Sequence, residues 1–176
     1  MKYLIGVGNY SMYDDSIGLR VVEHIARQGA SPDFTVVDLS ANILNLLFYF
    51  EQDTEKILIV DCLKTGQTLN QKVGDSIFFD VNDIVTHKDD RHLSTHEGDV
   101  IKVVELARQV GHTIPPLFCM GILPAEIKPA FGLSKALSSS LSEYCEQATH
   151  YLLNTDAGAS QGSLQGVMPR CETRTP

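Results

Sequence analysis

Three side chains far apart along the chain could do chemistry together: Asp15, Asp61 and His96. Two carboxylates and an imidazole form a borderline-hard ligand set suited to nickel, zinc or manganese, with positions left open for ligands from outside. Asp61 is the most telling of them. It ends the apolar run Ile57-Leu58-Ile59-Val60, where a charge must be solvated, paired or bound, because burying it unpaired is costly. Each member also has a plainer reading. Asp14 or Asp15 can cap a helix and complement its dipole, Asp61 can be a turn residue after a strand, and His96 is one of six histidines. The combination carries more weight than its parts, since all three follow a predicted strand or open a predicted helix and one α/β topology can bring them to the same sheet edge.

The loop carrying Asp15 reads Gly6-Val7-Gly8-Asn9-Tyr10-Ser11-Met12-Tyr13-Asp14-Asp15-Ser16-Ile17-Gly18, a glycine-bearing turn from a first strand into a first helix. A dinucleotide cradle is the rival reading, with Asp38 as the ribose-binding acid. Ser11 stands where the third glycine belongs, and Asp14-Asp15 would place negative charge where a pyrophosphate should lie. A thiol mechanism pairing Cys62 with His96 is a further alternative. A cysteine beside a strand-end aspartate is more often a small buried apolar group.

The elements that must position these residues follow from periodicity. Apolar runs at Tyr3 to Val7, Phe34 to Leu39 and Ile57 to Asp61 read as strands. Between them, Ile17, Val21, Val22, Ile25 and Ala26 share one helical face, and Asn42 to Phe50 offers a second helix. This βαβαβ order predicts a mostly parallel sheet covered on both faces, since crossover helices must lie over it. Ser76 to Val81 is a fourth strand candidate, at an edge or in a hairpin after the turn Gly74-Asp75. Thr86 to Arg91 reads as a loop. Ser94 and Glu97 have the spacing of a capping box before the periodic run Val100 to Val110 and a stop at Gly111, which places His96 in a first helical turn. Leu117 to Ile122 is a final strand, Pro124 to Gly132 a loop, and Ser134 to Leu153 a closing helix capped by Ser134.

Bulk properties narrow the class. A chain of 176 residues with 43% hydrophobic content fits one domain, residues 1–154, which at this size buries roughly two-thirds of its unfolded surface. Residues 155–176 are poor in apolar groups and read as a flexible tail. No internal repeat is present. The net charge of −8 removes the attraction to phosphate on which nucleic-acid binding depends. The opening residues lack the apolar core and small-residue cleavage site expected of a signal peptide, and the apolar stretches fall far short of the roughly 20 residues of a membrane span. A cytoplasmic protein without a membrane partner is expected. The four cysteines, Cys62, Cys119, Cys145 and Cys171, form no C-x-x-C pair and are expected to be reduced.

Taken together, Gly-x-Gly-Asn followed by an acidic pair and Gly18, an aspartate ending the third strand, and Ser-x-His before a helix resemble the hydrogenase maturation endopeptidases. Met120-Gly121-Ile122-Leu123-Pro124-Ala125-Glu126-Ile127-Lys128-Pro129 and Gly132-Leu133-Ser134 resemble that family's last strand and following loop. The resemblance runs from about Lys2 to Leu153. It implies a three-layer α-β-α sandwich around a mostly parallel twisted sheet, of the phosphorylase/hydrolase-like kind. It also implies a protease that trims the C-terminal extension from the large-subunit precursor of a nickel-iron hydrogenase once nickel is in place. The family's metal-contacting and catalytic set maps onto Asp15, Asp61 and His96, with nickel supplied by the substrate protein and not permanently bound. Asn9 and Asp38 are implied as substrate contacts, and a monomer is expected.

One segment departs from the family pattern. Where many relatives carry Asp-Gly-Gly-Thr after the second strand, this chain has Asp38-Leu39-Ser40-Ala41, a loop expected to adopt positive φ less readily. The chemistry implied is amide hydrolysis in which the partner's nickel orients or polarises the scissile bond or activates a water, with a carboxylate free of the metal as general base. Two other classes fit the same residues: a hydrolase with its own bound metal, and a non-catalytic nickel-checking or chaperone protein for hydrogenase assembly.

Overall fold

A computed structural model describes residues 1–29, 31–40, 42–63, 72–82 and 95–154, with backbone alone at 95–98. Five strands form one sheet: β1 (Lys2–Val7), β2 (Thr35–Ser40), β3 (Lys56–Cys62), β4 (Ser76–Asp80) and β5 (Leu117–Ile122). Their spatial order is β2-β1-β3-β5-β4. All pairs are parallel except β4 with β5, which is antiparallel at the edge. This is the mostly parallel sheet expected, with the edge placement foreseen for Ser76 to Val81. The preceding turn holds Gly74 at φ +85, and the Asp75 carboxylate accepts from the Lys72 amide at 2.7 Å.

Residues in β1 and β3 alternate between two cores because successive strand side chains point to opposite faces. Leu4, Leu58 and Val60 pack with α1 (Ile17–Gln28) and with α4 (Leu141–Leu153) on one face. Ile5, Val7, Ile57 and Ile59 pack on the other, under α2 (Thr95–Gln109) and the segment around Leu46. Helices thus cover both faces, giving the three-layer sandwich. Each wholly buried Leu or Ile in these layers contributes roughly 1.5–3 kcal/mol relative to exposure. Among the described residues no helix is long and apolar enough to cross a membrane.

Two expected elements differ. Asn42 to Phe50 forms a 3-10 helix, Ile43–Tyr49, in place of an α-helix, and Asn42 makes no side-chain cap bond. Only Ile43 and Leu46 of this segment are buried, so a tight three-residue repeat serves a single buried row. The closing helix is broken at Ser140, where φ is −103 and ψ is 7, into α3 (Lys135–Ser139) and α4. The hydroxyls of Ser138 and Ser139 donate back to the carbonyls of Lys135 and Ala136, a competition with the backbone that interrupts helices. Ser134 is the N-cap as expected, its hydroxyl accepting from the Leu137 amide at 3.4 Å. The loop at Thr86 to Arg91, the capping box of Ser94 and Glu97, Cys171 and the tail 155–176 lie outside the described residues.

Candidate active site

The chain leaves β1 and crosses to β2 on one side, and leaves β2 to return as β3 on the other. The carboxyl ends of β1 and β3 therefore form a topological switch point, where α/β sheets open a crevice. Asp15 follows β1 and Asp61 is the penultimate residue of β3, so both flank this crevice. Close backbone approach sets their relation. A Cβ added at Gly18 would stand 2.1 Å from the Val60 carbonyl oxygen and 2.5 Å from that of Val7, so only glycine lets the start of α1 lie against both strand ends. At Gly8, φ is +142 and an added Cβ would meet the Asp15 carbonyl oxygen at 2.1 Å.

The acidic pair divides its labour. Both residues sit in a 3-10 turn, Tyr13–Ser16, ahead of α1. Asp14 caps nothing of its own helix. It is wholly buried, and its carboxylate accepts from three amides of the distant loop after β5: Ala125 at 2.9 Å, Glu126 at 3.1 Å and Ser134 at 2.6 Å. Charge-assisted bonds of this kind are about twice as strong as neutral ones. The same two loops exchange backbone bonds between Tyr13 and Ala130 and between Ala130 and Ser11, and the Ser16 hydroxyl donates to Tyr13 and Gly132 carbonyls. Asp15 is half-buried beside this clamp. From sequence Asp14 offers only a cap or a complement to the helix dipole, because a carboxylate that collects backbone amides needs no particular side chain in its partner.

Asp61 is almost wholly buried, with its Oδ1 accepting from the Cys62 amide at 2.7 Å. It lies on the sheet face covered by α2 and opens into a small cleft lined by Ile59, Phe79, Val81, Val100, Ile101 and Cys119. Position 96 is the second residue of α2, one turn before Val100 on the same helical face. The structure thus sets the backbone of the histidine over the face that bears Asp61, while its side chain lies outside the described residues. Among the described residues no group of three His, Cys, Asp or Glu side chains is arranged to hold a metal ion.

The remaining candidates are engaged in shaping loops. Asn9 Oδ1 accepts from the Ser11 amide at 3.0 Å and its hydroxyl at 2.7 Å, a local turn that mimics a backbone one. Asp38 Oδ1 holds Ser40 in the same manner, and Asp38 Oδ2 accepts from Tyr10. Ser40 stands at φ +48, so this loop does reach the left-handed region without glycine, the carboxylate supplying what the backbone lacks. Both Asp38 oxygens are thus engaged within the protein. Cys62 is buried with its thiol donating to the Leu63 carbonyl, and the side chain of His96, its partner in the thiol alternative, lies outside the described residues. Cys119 and Cys145 are likewise buried; burial pushes the Cys145 thiol up to about 11.

Comparison with known proteins converges on one family. The family described as hydrogenase maturation protease matches residues 19–151. Hydrogenase 2 maturation protease of Escherichia coli K12 is 23% identical over 145 residues, covering 82% of this chain and 85% of its own. Among solved structures, a hydrogenase-maturating endopeptidase from E. coli aligns with a TM-score of 0.71 at 21% identity, over 86% of this chain and 91% of its own. A nickel-iron hydrogenase maturation protease from Thermococcus kodakarensis aligns at 0.70 and 21%, over 86% and 98%. The two structural likenesses share the fold described above.

Proposed function

Because the chain belongs to the hydrogenase maturation protease family, we propose that it is an endopeptidase removing the C-terminal extension of a nickel-iron hydrogenase large-subunit precursor after nickel insertion. Asp15, Asp61 and His96 recognise the nickel carried by that precursor. The observation that carries this reading is the switch-point crevice: Gly18 lays the Asp15 turn against the residue preceding Asp61, and Asp61 opens beneath the first turns of the helix that bears His96.

In this reading the precursor's nickel, as part of the substrate, brings the scissile bond to the crevice. The carboxylates and the imidazole fix its position relative to the peptide, and a carboxylate not engaged by the metal takes a proton from the attacking water. Asp14 does no chemistry; it holds the loop after β5 and the Asp15 turn in one rigid unit, since a fixed geometry is what converts binding into rate. Asn9 and Asp38 contribute the shape of the adjoining wall. The protein works as a cytoplasmic monomer that meets its precursor transiently.

The test incubates the protein with nickel-loaded and nickel-free precursor in parallel and follows precursor mass. Shortening of the loaded form alone is the expected result. Binding without shortening, or equal cutting of both forms, rejects the proposal. His96→Ala is expected to abolish shortening while leaving the unfolding midpoint nearly unchanged, and full activity in that variant removes the histidine from the set.

A further inference from the structure

On the β2 side of the crevice lies a cluster of which the cleavage reading uses only Asp38, as part of the wall. The Tyr10 hydroxyl donates to Asp38 Oδ2 at 2.9 Å, while Asp38 Oδ1 accepts from the Ser40 amide at 2.8 Å and the Ser40 hydroxyl at 2.7 Å. Ser40 is held at φ +48, a conformation unfavourable for an L residue. Its carbonyl accepts from the Gly8 amide at 3.3 Å, so the end of β2 is tied to the loop leaving β1 at two points. Arg20 of α1 stands 4.9 Å from the centre of the Tyr10 ring and is paired with Glu23 at 3.0 Å, which backs the ring from the helix side. Burial, and then the bond to Asp38, push the Tyr10 phenol up to about 12. The phenol therefore stays a donor throughout the physiological range.

The chemistry of this cluster is a chain of dependence. A carboxylate that steadies a strained serine with one oxygen can still rotate about its own bond, and a second anchor on the other oxygen stops it. Tyr10 is that anchor. We propose that Tyr10 is a positioning residue that sets the wall at 38–40 on one side of the crevice, and so determines which precursor surface is accepted. Asp38 is then the internal post of this wall and not a ligand for the substrate. The inference rests on the peptidase reading for its consequence, though not for its geometry.

Tyr10→Phe keeps the ring and its contact with Arg20 and removes only the hydroxyl. Loss of one bond to a charged acceptor is expected to raise KM for the nickel-loaded precursor about fivefold, with kcat within about twofold of wild type, because no reacting atom is touched. Amide hydrogen exchange at Gly8 and Ser40 accelerates in the same variant. The double variant with Asp38→Asn raises KM no further than the stronger single change, since both remove one link. Unchanged exchange overturns the positioning role. Faster exchange with unchanged KM overturns the role in precursor choice, and a fall in kcat at constant KM places Tyr10 in the chemistry instead. If the wild-type protein shortens no precursor, the peptidase reading fails by itself and the exchange measurement still decides whether Tyr10 sets the wall.

Discussion

At the carboxyl edge of the sheet a buried anion gathers amide hydrogens, and at the amino edge a buried cation gathers carbonyl oxygens. Asp14 accepts from Ala125, Glu126 and Ser134. Lys56, only 6% exposed, donates to the carbonyls of Tyr151 at 2.5 Å and Asn154 at 3.2 Å at the end of α4, and its ammonium lies 4.5 Å from the centre of the Tyr151 ring. Lys2 adds a bond to the Leu153 carbonyl at 3.2 Å. Both sites pin a distant segment through charge-assisted bonds to backbone, and the second also complements a helix dipole. They differ in what they hold. Asp14 fixes loops that carry the crevice, whereas Lys56 fastens the final helix on the opposite side of the molecule. A buried charge is thus no marker of function by itself; its neighbourhood decides.

The sharpest way to break this comparison is to remove the anion. Asp14→Ala leaves three amides without an acceptor and is expected to lower stability by about 3 kcal/mol, read from the denaturant midpoint. Precursor processing should also fall in the fraction that remains folded, because the Asp15 turn loses its clamp. Processing at the wild-type rate by folded Asp14→Ala would show that the two edges are equivalent. Asp15→Ala is the complement, expected to abolish processing while stability changes by less than about 1 kcal/mol.

Removing the cation should act on the fold alone. Lys56→Met loses two bonds and a contact with aromatic rings, for about 1.5 kcal/mol, and processing per folded molecule stays at the wild-type level. A smaller effect is expected from Ser134→Ala. That change deletes the cap of α3, at a cost of about 0.5–1 kcal/mol, but keeps the Ser134 amide that Asp14 holds. Its processing rate should match wild type, and a loss there would mean that the hydroxyl, and not the amide, transmits the clamp.

These contrasts also mark what could be read in the sequence. The runs Tyr3 to Val7 and Ile57 to Val60 announced buried parallel strands because nothing in them alternates, and a charge closing such a run pointed to the sheet edge. The placement of Asp61 at the end of β3 was legible for that reason. The role of Asp14 was not, since its partners lie 111 to 120 residues away and are backbone amides that any residue could offer. The anchoring by Lys56 leaves no mark in the sequence either, because its partners are carbonyls. The break at Ser140 turned on hydroxyls folding back onto their own helix, a competition that apolar periodicity does not register. The positive φ of Ser40 was hidden in the same way, as Asp38 and Tyr10 supply locally what glycine supplies elsewhere.

Alkali sharpens the comparison with the smallest expected effect, and with opposite signs at the two edges. Burial, and then the nearby Lys2, hold the Lys56 ammonium below its ordinary value near 10.5. Between that lowered value and 10.5 the unfolded chain binds more protons than the folded one, so this residue makes stability rise with pH. Tyr10 behaves in reverse. Its folded value of about 12 lies above the ordinary 10.0, so the stability it contributes is whole below pH 10 and is lost as pH climbs through 12. Tyr10 retains solvent contact, and screening holds its contribution to less than about 1 kcal/mol. Subtracting the stability-pH curve of Lys56→Met from that of wild type should leave a rising difference below pH 10.5. The same subtraction with Tyr10→Phe should leave a falling one above pH 10. Taking differences removes the matching contribution of Tyr3 from both comparisons, and that of Tyr151 from the comparison with Tyr10→Phe; both phenols are also raised by burial. Two differences of the same sign would mean that the phenol and the ammonium do not sit in opposed electrostatic settings.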